Sequence, residues 1–342
     1  MTLQNAGPML KQPEVLSIQY LRAFSAISVV SSHMGQIFYH NFFWGGVGVD
    51  IFFVISGFIM WMVSRKKEAN PSVFLKKRLL RIVPLYWLVT LSLAICPQLQ
   101  PALFSGDHPI PSHVLLSLFF IPHLAPDGKV FPLVCQGWTL YYEMFFYLLF
   151  TLTLAYTKKY QFYALNAVLL GAVFCGYIFN FSSPAGGVYT SPLLIEFLAG
   201  IYICHAWINN TVLSKNYAYV AIVLGIIGIA SAYLLHLQLP RITQSGLPAT
   251  MIVFGAVSLE SRGGIPKIRW LKMCGDASYA IYLTHYLAWL LMSIVVAKLG
   301  WQLNGVIYIV SVFAAVIAGV VTHVLVEKPM ARFLSRRFTP PA

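Results

Sequence analysis

The sequence predicts an all-α integral membrane protein with about ten transmembrane helices and both termini in the cytoplasm. Three observations carry this prediction. Of the 342 residues, 58% are hydrophobic and 10% are charged, whereas soluble domains contain about 25% charged residues. The apolar residues are gathered into long segments, and a helix of about 20 such residues crosses a bilayer. The Lys and Arg residues lie almost entirely in alternate connections between these segments.

The expected membrane-spanning helices are ten apolar segments. Their predicted ranges are 16–38, 46–64, 79–96, 138–156, 160–180, 191–208, 216–236, 244–259, 277–298 and 304–326. The stretch 112–121 is too short to cross a bilayer, and we expect a re-entrant or interfacial piece there. The chain shows no internal repeat or interdomain linker, so we expect a single transmembrane domain over 1–342. It would include a cytoplasmic N-terminal segment over 1–15 and a basic cytoplasmic tail over 327–342, with no fused soluble domain.

The distribution of positive charge sets the expected orientation. When the N-terminus is placed in the cytoplasm, the connections on the opposite side contain only Lys129, Arg241 and Lys298 as Lys or Arg residues. The remaining Lys and Arg residues, apart from Arg22 inside the first helix, fall on the cytoplasmic side, which is the positive-inside pattern. Most of the formal net charge of +13 therefore serves to orient the protein in the membrane, and we expect no nucleic-acid partner.

Ionisable residues in the first two apolar segments indicate a polar site inside the bundle. Arg22 and His33 are eleven residues apart, a separation of about 16 Å along a helix with a rotation of only about 20° from one face. Asp50 enters at a depth close to that of His33. Such residues usually face a protein interior or a wet cavity. Imidazole is the usual general base near neutral pH. A hydrogen bond between helices would also explain His33, and a favourable charge at a helix start would explain Asp50.

Glycines cluster at the start of the second apolar segment. Gly45, Gly46 and Gly48 precede or open this helix, and Gly57 follows two to three turns later. Small residues allow membrane helices to approach closely, whereas a functional interpretation would be a narrow wall that admits a ligand. Taken alone, the glycines favour close packing.

The connection before the third helix contains a basic pair, Arg78 and Arg81. Positive charge at this position keeps the connection on the cytoplasmic side and attracts lipid headgroups. Two guanidiniums side by side also suit a phosphorylated ligand, for example a cytosolic coenzyme A thioester. The sequence contains no glycine-rich phosphate loop of the Walker or dinucleotide type, so we do not expect a nucleotide-hydrolysing pump.

An aromatic cluster with a buried acid opens the fourth predicted helix. Trp138, Tyr141 and Tyr142 suit interfacial anchors, and aromatic faces also serve as stacking surfaces for a saccharide. Glu143 lies inside the span and needs a partner or a proton. Tyr282 and His285 share one face of the ninth helix, either as a hydrogen-bonded pair or as part of a site.

The outer loop contains His108, His113 and His123, together with Asp107 and Asp127. Their spacing matches no zinc pattern, so we predict a solvated loop and no metal site. Elsewhere, Cys96 and Cys135 flank this loop and would either pair on an oxidising side or remain free.

In this order, the motifs resemble membrane acyltransferase family 3, and more narrowly its exopolysaccharide and O-antigen O-acetyltransferase branch. The resemblance covers nearly the whole chain. It rests on the Arg22-to-His33 spacing, GGVGVDIFFVISGF at 45–58, Arg78 and Arg81 before PLYW at 84–87, WTLYYE at 138–143, 278–285, and EKP at 327–329.

The resemblance implies acyl transfer, usually of acetyl, from cytosolic acetyl-CoA or another acyl-CoA to a hydroxyl of an envelope saccharide. The acceptor would be lipid-linked or polymeric, from exopolysaccharide or O-antigen synthesis. The enzyme would lie among the lipids of the bacterial inner membrane. The family's intramembrane Arg and His correspond to Arg22 and His33, its basic pair to Arg78 and Arg81, and its Trp-to-Glu element to Trp138 and Glu143.

A mechanism follows as a hypothesis, with the coenzyme held by Arg78, Arg81 and Arg22. His33, supported by Asp50 or Glu143, would take the proton from the acceptor hydroxyl as it attacks the thioester, or would carry the acyl group transiently. The saccharide would be bound by Trp138, Tyr141, Tyr142, Tyr282 and His285. The sequence does not separate direct transfer from the two-step relay.

The alternative is a secondary transporter that uses Arg22, His33 and Asp50 as a substrate or proton relay. Transporters often contain inverted repeats with matching broken helices, and this chain shows no such symmetry.

Overall fold

The computed structural model describes residues 15–39, 46–65, 70–99, 110–302 and 304–338. These residues are helical or lie in connections, and none of them forms a β-strand. The α-helices are α1 (Leu16–Tyr39), α2 (Gly46–Ser64), α3 (Pro71–Leu99), α4 (Pro111–Leu118), α5 (Trp138–Thr153), α6 (Lys158–Phe179), α7 (Pro184–Tyr189), α8 (Leu194–Ile208), α9 (Lys215–Leu234), α10 (Leu247–Ser261), α11 (Arg269–Asp276), α12 (Ser278–Lys298), α13 (Gly305–Thr322) and α14 (Lys328–Phe338). A 3-10 turn, Cys135–Gly137, precedes α5, and the π-helical segments Ile242–Gly246 and His323–Glu327 precede α10 and α14.

Eight stretches of the described chain are long and apolar enough to cross a membrane. They are Gly46–Ser64, Pro71–Ile95, Lys158–Phe179, Pro184–Ile208, Lys215–Leu234, Ile242–Ser261, Ser278–Lys298 and Gly305–Arg337. Each coincides with one of the ten predicted spans, so the all-α integral membrane prediction is confirmed. The other two predicted spans, 16–38 and 138–156, are also helical, as α1 and α5. Polar residues lower the mean hydropathy of α1, and the 16 residues of α5 measure only about 24 Å.

α1 compensates for its polarity by being enclosed. It packs against α2, α11, α12 and α13, and Ala23, Ala26 and Val30 on its inner face are fully buried. Its first turn is capped from another helix, because the carboxylate of Glu260 accepts hydrogen bonds from the backbone N–H of Leu16 at 2.7 Å and of the next residue at 2.8 Å. A negative charge at this position also favours the helix dipole. The polar helix is therefore shielded by protein on several sides.

Glycines set the closest helix contacts. A Cβ at Gly57 would lie 2.0 Å from the carbonyl oxygen of Phe197, and one at Gly200 would lie 1.9 Å from that of Val54. At Gly48 a Cβ would lie 2.6 Å from a carbonyl oxygen of α1. The close-packing interpretation of Gly48 and Gly57 is thus confirmed, and Gly45 lies outside the described residues. These contacts hold α2 against both α8 and α1.

Several boundaries differ from the prediction. α3 begins at Pro71 rather than at 79, so the basic pair lies well inside a helix. The predicted tail over 327–342 is helical to Phe338, with 339–342 outside the described residues, as are residues 1–14 of the predicted N-terminal segment. α11 was not predicted, because its charged face hides its apolar one from a hydropathy scan. The stretch 112–121 contains the short α4.

We expect Gly200→Ala to destabilise the protein, because the added methyl group meets the backbone of α2. Overpacking costs about 1–3 kcal/mol, whereas alanine in an open helical position stabilises by up to about 1 kcal/mol. Gly171→Ala in α6, where the added Cβ meets nothing within 4 Å, is the matched control. Thermal unfolding in detergent should show a lower midpoint only for Gly200→Ala; equal midpoints would contradict the packing argument.

Candidate functional site

A cavity of about 740 Å³ lies among α1, α2, α3, α5 and α12. Its walls are largely apolar, with residues such as Phe52 and Ile59. Polar side chains also reach it: Arg22, Ser56, Arg81, Glu143, Tyr147 and Tyr282. Of the residues predicted for the site, Arg22, Arg81, Glu143 and Tyr282 therefore come together around one space.

Glu143 has the partners that its position inside the bundle required. Its Oε1 accepts a hydrogen bond from the Ser56 hydroxyl at 3.3 Å and another from the Tyr147 hydroxyl. Tyr147 is one helical turn beyond Glu143, so α5 itself presents both groups on one face. Sequence reasoning did not single out Ser56 or Tyr147, although the spacing of four residues in α5 was a signal for the second.

Arg22 is buried, and its Nη1 donates to Oε1 of Gln19 at 3.1 Å. This partner lies one turn nearer the start of α1, so the guanidinium is directed away from His33. Together with Arg81 it places two guanidiniums and one carboxylate, Glu143, around the cavity. The cavity is therefore suited to a ligand that carries negative charge.

His33 is hydrogen-bonded to His285, with 2.8 Å between its Nδ1 and Nε2 of the second ring. The rings are stacked, with centroids 5.0 Å apart and an interplanar angle of 12°. Nδ1 of His285 lies 2.6 Å from the backbone carbonyl oxygen of Tyr282. We call His33 and His285 the histidine dyad, and the Tyr282 carbonyl its anchor.

The anchor determines the tautomer of both rings. A carbonyl oxygen only accepts, so Nδ1 of His285 carries the proton and its Nε2, in the neutral ring, must accept. The donor of the next bond is then Nδ1 of His33. Because a neutral imidazole has one N–H, Nε2 of His33 bears a lone pair, and no described residue forms a hydrogen bond to it. The dyad therefore presents one basic nitrogen.

Asp50 has different partners from those expected. It is fully buried and accepts hydrogen bonds from Nε of Arg241 at 3.2 Å, Nη2 of Arg241 at 3.3 Å and the hydroxyl of Ser245 at 3.1 Å. It does not lie in the first turn of α2. The expectation that Asp50 or Glu143 supports His33 is wrong, because the side chains of both acids bond to other groups. Nδ1 of His33 instead donates to Nε2 of His285.

The predicted aromatic residues are distributed over two places. The guanidinium carbon of Arg241 lies 5.5 Å from the ring centroid of Trp138, which packs edge-on against Tyr142 at 5.8 Å. Tyr282 instead lines the cavity, and its hydroxyl donates to the backbone oxygen of Gln136 at 2.6 Å. Tyr141 is 1% exposed, so it is a core residue.

The expectation of a solvated histidine loop is wrong for His113 and His123. Both are buried, and Nδ1 of His113 lies 2.7 Å from Nε2 of His123. Burial and the neighbouring imidazole lower the pKa of His113. His108 and Asp107 lie outside the described residues. Within those residues, no group of three or more His, Cys, Asp or Glu side chains is placed to hold a metal ion.

The basic pair on α3 is divided between two environments. Arg81 lines the central cavity and also a second opening toward α14, whereas Arg78 lines neither. The guanidinium carbon of Arg78 lies 5.8 Å from the Phe74 ring centroid, and its Nε is buried with no hydrogen-bond partner among the described residues. Cys135 is a free cysteine, and the side chain of Cys96 lies outside the described residues.

Comparisons with known proteins found a matching family model and two similar proteins. A family model described as an acyltransferase domain matches residues 15–325. The chain is 36% identical over 300 residues to the exopolysaccharide production protein ExoZ of Rhizobium meliloti (strain 1021), covering 86% of this chain and 92% of that protein. It is 24% identical over 370 residues to the acyltransferase MdmB of Streptomyces mycarofaciens, covering 94% of this chain and 92% of that protein. No solved structure matches it.

We expect Arg241→Met to destabilise the protein, because it leaves the Asp50 carboxylate buried without its counter-ion. Removing one partner of a buried ion pair costs about 3–5 kcal/mol, and we expect the low end because the Arg241 side chain is 43% exposed. Adding Asp50→Asn to this variant should recover part of the loss in thermal unfolding. Lys298→Met is the control for a lost exposed cation, and an equal effect of both single variants would contradict this role.

Proposed function

The chain belongs to the acyltransferase family whose domain model it matches over residues 15–325, and from this premise we propose its reaction. It transfers an acyl group, acetyl foremost, from cytosolic acyl-coenzyme A to a hydroxyl of an envelope or exported saccharide. The single observation that carries the proposal is the free Nε2 of His33, fixed by the dyad and its anchor. The similarity to ExoZ, an exopolysaccharide production protein, supports a saccharide acceptor.

The proposed topology has ten membrane-spanning helices with both termini in the cytoplasm. The eight apolar stretches, the helical α1 and α5, and the concentration of Lys and Arg in alternate connections support it. The location is the bacterial inner membrane, where a cytosolic donor and an exported acceptor approach from opposite sides. In this orientation Arg81 faces the cytoplasmic side and Arg241 the outer side.

The donor occupies the central cavity. Its phosphates remain near Arg81, and its extended arm enters past Arg22 and Glu143. Tyr282 lines this cavity and is only one turn, about 4.5 Å along α12, from His285. The arm therefore brings the thioester toward the dyad when it passes Tyr282.

The distance between Arg22 and His33 separates their roles. About 16 Å lies between their backbones along α1, and the guanidinium is directed toward Gln19. One thioester carbonyl does not touch both side chains. We therefore place Arg22 with the coenzyme rather than at the reacting carbon, and leave the proton transfer to His33.

The proposed chemistry uses the lone pair of Nε2. As the acceptor oxygen attacks the thioester carbon, Nε2 of His33 takes its proton and the C–S bond breaks. Coenzyme A leaves as the thiolate, which then takes that proton from the His33 imidazolium, so that the ring returns to its neutral form. General base catalysis of this kind contributes about 10²–10⁴-fold. The resulting imidazolium is stabilised because its Nδ1–H still donates to His285. A two-step relay through an acyl group on Nε2 uses the same free nitrogen.

For the acceptor, we propose the surroundings of Trp138, Tyr142, Arg241 and Asp50. Trp138 is half-buried and offers an aromatic edge and face, with the largely buried Tyr142 packed against it and the partly exposed Arg241 beside it. Tyr141 is left out, because its ring is buried in the core. His285 was predicted to contact the saccharide, and we now propose that it positions His33 instead.

The transporter alternative loses its geometric basis. It required a relay among Arg22, His33 and Asp50, but their hydrogen bonds lead to three separate partners. Those partners are Gln19, His285 and Arg241, on α1, on α12 and before α10.

We expect His33→Ala to abolish acyl transfer by purified protein in nanodiscs, with a loss of about 10²-fold or more. Transfer is measured as release of coenzyme A from acetyl-CoA that depends on a saccharide acceptor. His236→Ala, an exposed histidine outside the dyad, is the matched control and should retain activity. Normal transfer by folded His33→Ala protein would refute the assignment.

We expect His285→Ala to lower the rate by at least about 10-fold, because Nδ1 of His33 loses the acceptor that fixes its tautomer. His285→Gln should recover part of the rate, since its amide oxygen still accepts and its N–H still donates. Acetyl-CoA affinity should be the same in both variants. Equal defects in the two variants would indicate packing alone.

A further inference from the structure

The second opening, which we call the basic cleft, lies between α3 and the chain end. Its space is about 960 Å³. Its charged or ionisable lining residues are Lys77 and Arg81 from α3, His323 and Glu327 from the π-helical segment, and Lys328 and Arg332 from α14. α14 was predicted only as a tail, so its two lining cations, Lys328 and Arg332, were not considered part of a site.

The basic cleft has unbalanced positive charge. Its one carboxylate, Glu327, is already paired, with 2.7 Å between its Oε2 and Nδ1 of His323. Within the described part of the chain, no ion pair involves Lys77, Arg81, Lys328 or Arg332. Four cations therefore face one space with a single, already occupied counter-charge.

The spacing of these cations adds to the argument. Lys77 and Arg81 are four residues apart on one helix, and so are Lys328 and Arg332 on another. Like charges at this spacing share a face and destabilise a helix. Lys77, Lys328 and Arg332 are exposed and Arg81 is partly buried, and an anion placed between the two pairs would relieve their mutual repulsion. Several phosphate oxygens would supply this negative charge, because one Arg guanidinium can bind two phosphate oxygens at once.

The basic cleft is also adjacent to the central cavity. Arg81 lines both spaces, so a ligand whose anionic end lies in the cleft can extend past Arg81 toward Arg22. A π-helical segment forms part of the wall, and such segments occur frequently at functional sites. Lipid headgroups would also bind exposed cations, but they do not require a cleft that shares Arg81 with the central cavity.

We infer that α14 supplies half of the phosphate site for the acyl-coenzyme A donor. Lys328 and Arg332 bind the phosphates of the nucleotide end opposite Lys77 and Arg81, and Arg78 takes no part. This inference rests on the proposed function. It assigns to the C-terminal helix a ligand-binding role in addition to its positive charge at the membrane surface.

The test compares two double variants of the same helix. Lys328→Ala/Arg332→Ala removes the cleft cations, and Arg336→Ala/Arg337→Ala removes two exposed cations of α14 that do not line the cleft. Acetyl-CoA binding is measured by calorimetry on purified protein in nanodiscs of zwitterionic lipid. We expect at least a 10-fold weaker Kd for the first variant and less than a 2-fold change for the second.

A phosphate-free donor, S-acetylpantetheine, distinguishes a lost phosphate site from a damaged protein. With acetyl-CoA, the first variant should show a raised KM and a nearly unchanged kcat, whereas its turnover of S-acetylpantetheine should equal that of the wild type. Loss of turnover with both donors would overturn the inference, because it would indicate structural damage. Equal weakening by both double variants would also overturn it, since general surface charge would then suffice.

Two further outcomes separate this inference from the proposed function. If the wild type does not bind acetyl-CoA at all, both the proposed donor and this site are refuted. If the wild type binds it and the cleft variant binds equally well, only this inference is refuted. If the variant differs from the wild type only in nanodiscs with anionic lipid, the cleft is a headgroup site instead.

Discussion

The hydrogen bond between His33 and His285 is the interaction on which the site depends. It joins residues 252 positions apart and connects the buried α1 to α12. Inside a bilayer every polar atom needs a partner within the protein, and this bond, with the Tyr282 carbonyl, satisfies three of the four ring nitrogens. The fourth is left with its lone pair. A second dyad, His113 and His123, has the same bonding pattern, with Nδ1 of His123 2.7 Å from the Ile121 carbonyl oxygen.

The polar groups of the bundle form separate clusters rather than one continuous relay. Arg22 with Gln19, Glu143 with Tyr147, the dyad, and Asp50 with Arg241 are each satisfied locally. Such separation does not provide the continuous chain of polar groups that a proton-coupled transporter needs. Chemistry between a donor and an acceptor from opposite sides needs only that their reactive atoms meet at one basic nitrogen.

Hydropathy predicted the spans well because an apolar helix is a local property of the sequence. It did not predict α11 or the helical state of α14, whose charged faces resemble connections. Hydropathy also cannot predict which residues distant in sequence contact each other, such as Asp50 and Arg241, which are 191 positions apart. Helix geometry also separates Arg78 from Arg81. Side chains three residues apart on a helix differ by about 60° in direction, whereas those four residues apart differ by about 40°. Arg81 therefore shares the cleft with Lys77 and not with Arg78.

The glycine contacts of α2 determine which parts of the bundle are free to move. Backbone meets backbone at Gly57 and Gly200, and α2 is held to α1 in the same way at Gly48. If α2 moved along its axis by part of a turn, its side chains would collide with carbonyl oxygens of the neighbouring helices. The helices α1, α2 and α8 therefore form one rigid frame. The cavity has this frame on one side and α3, α5 and α12 on the other. A change in its width therefore requires α3, α5 or α12 to move relative to this frame.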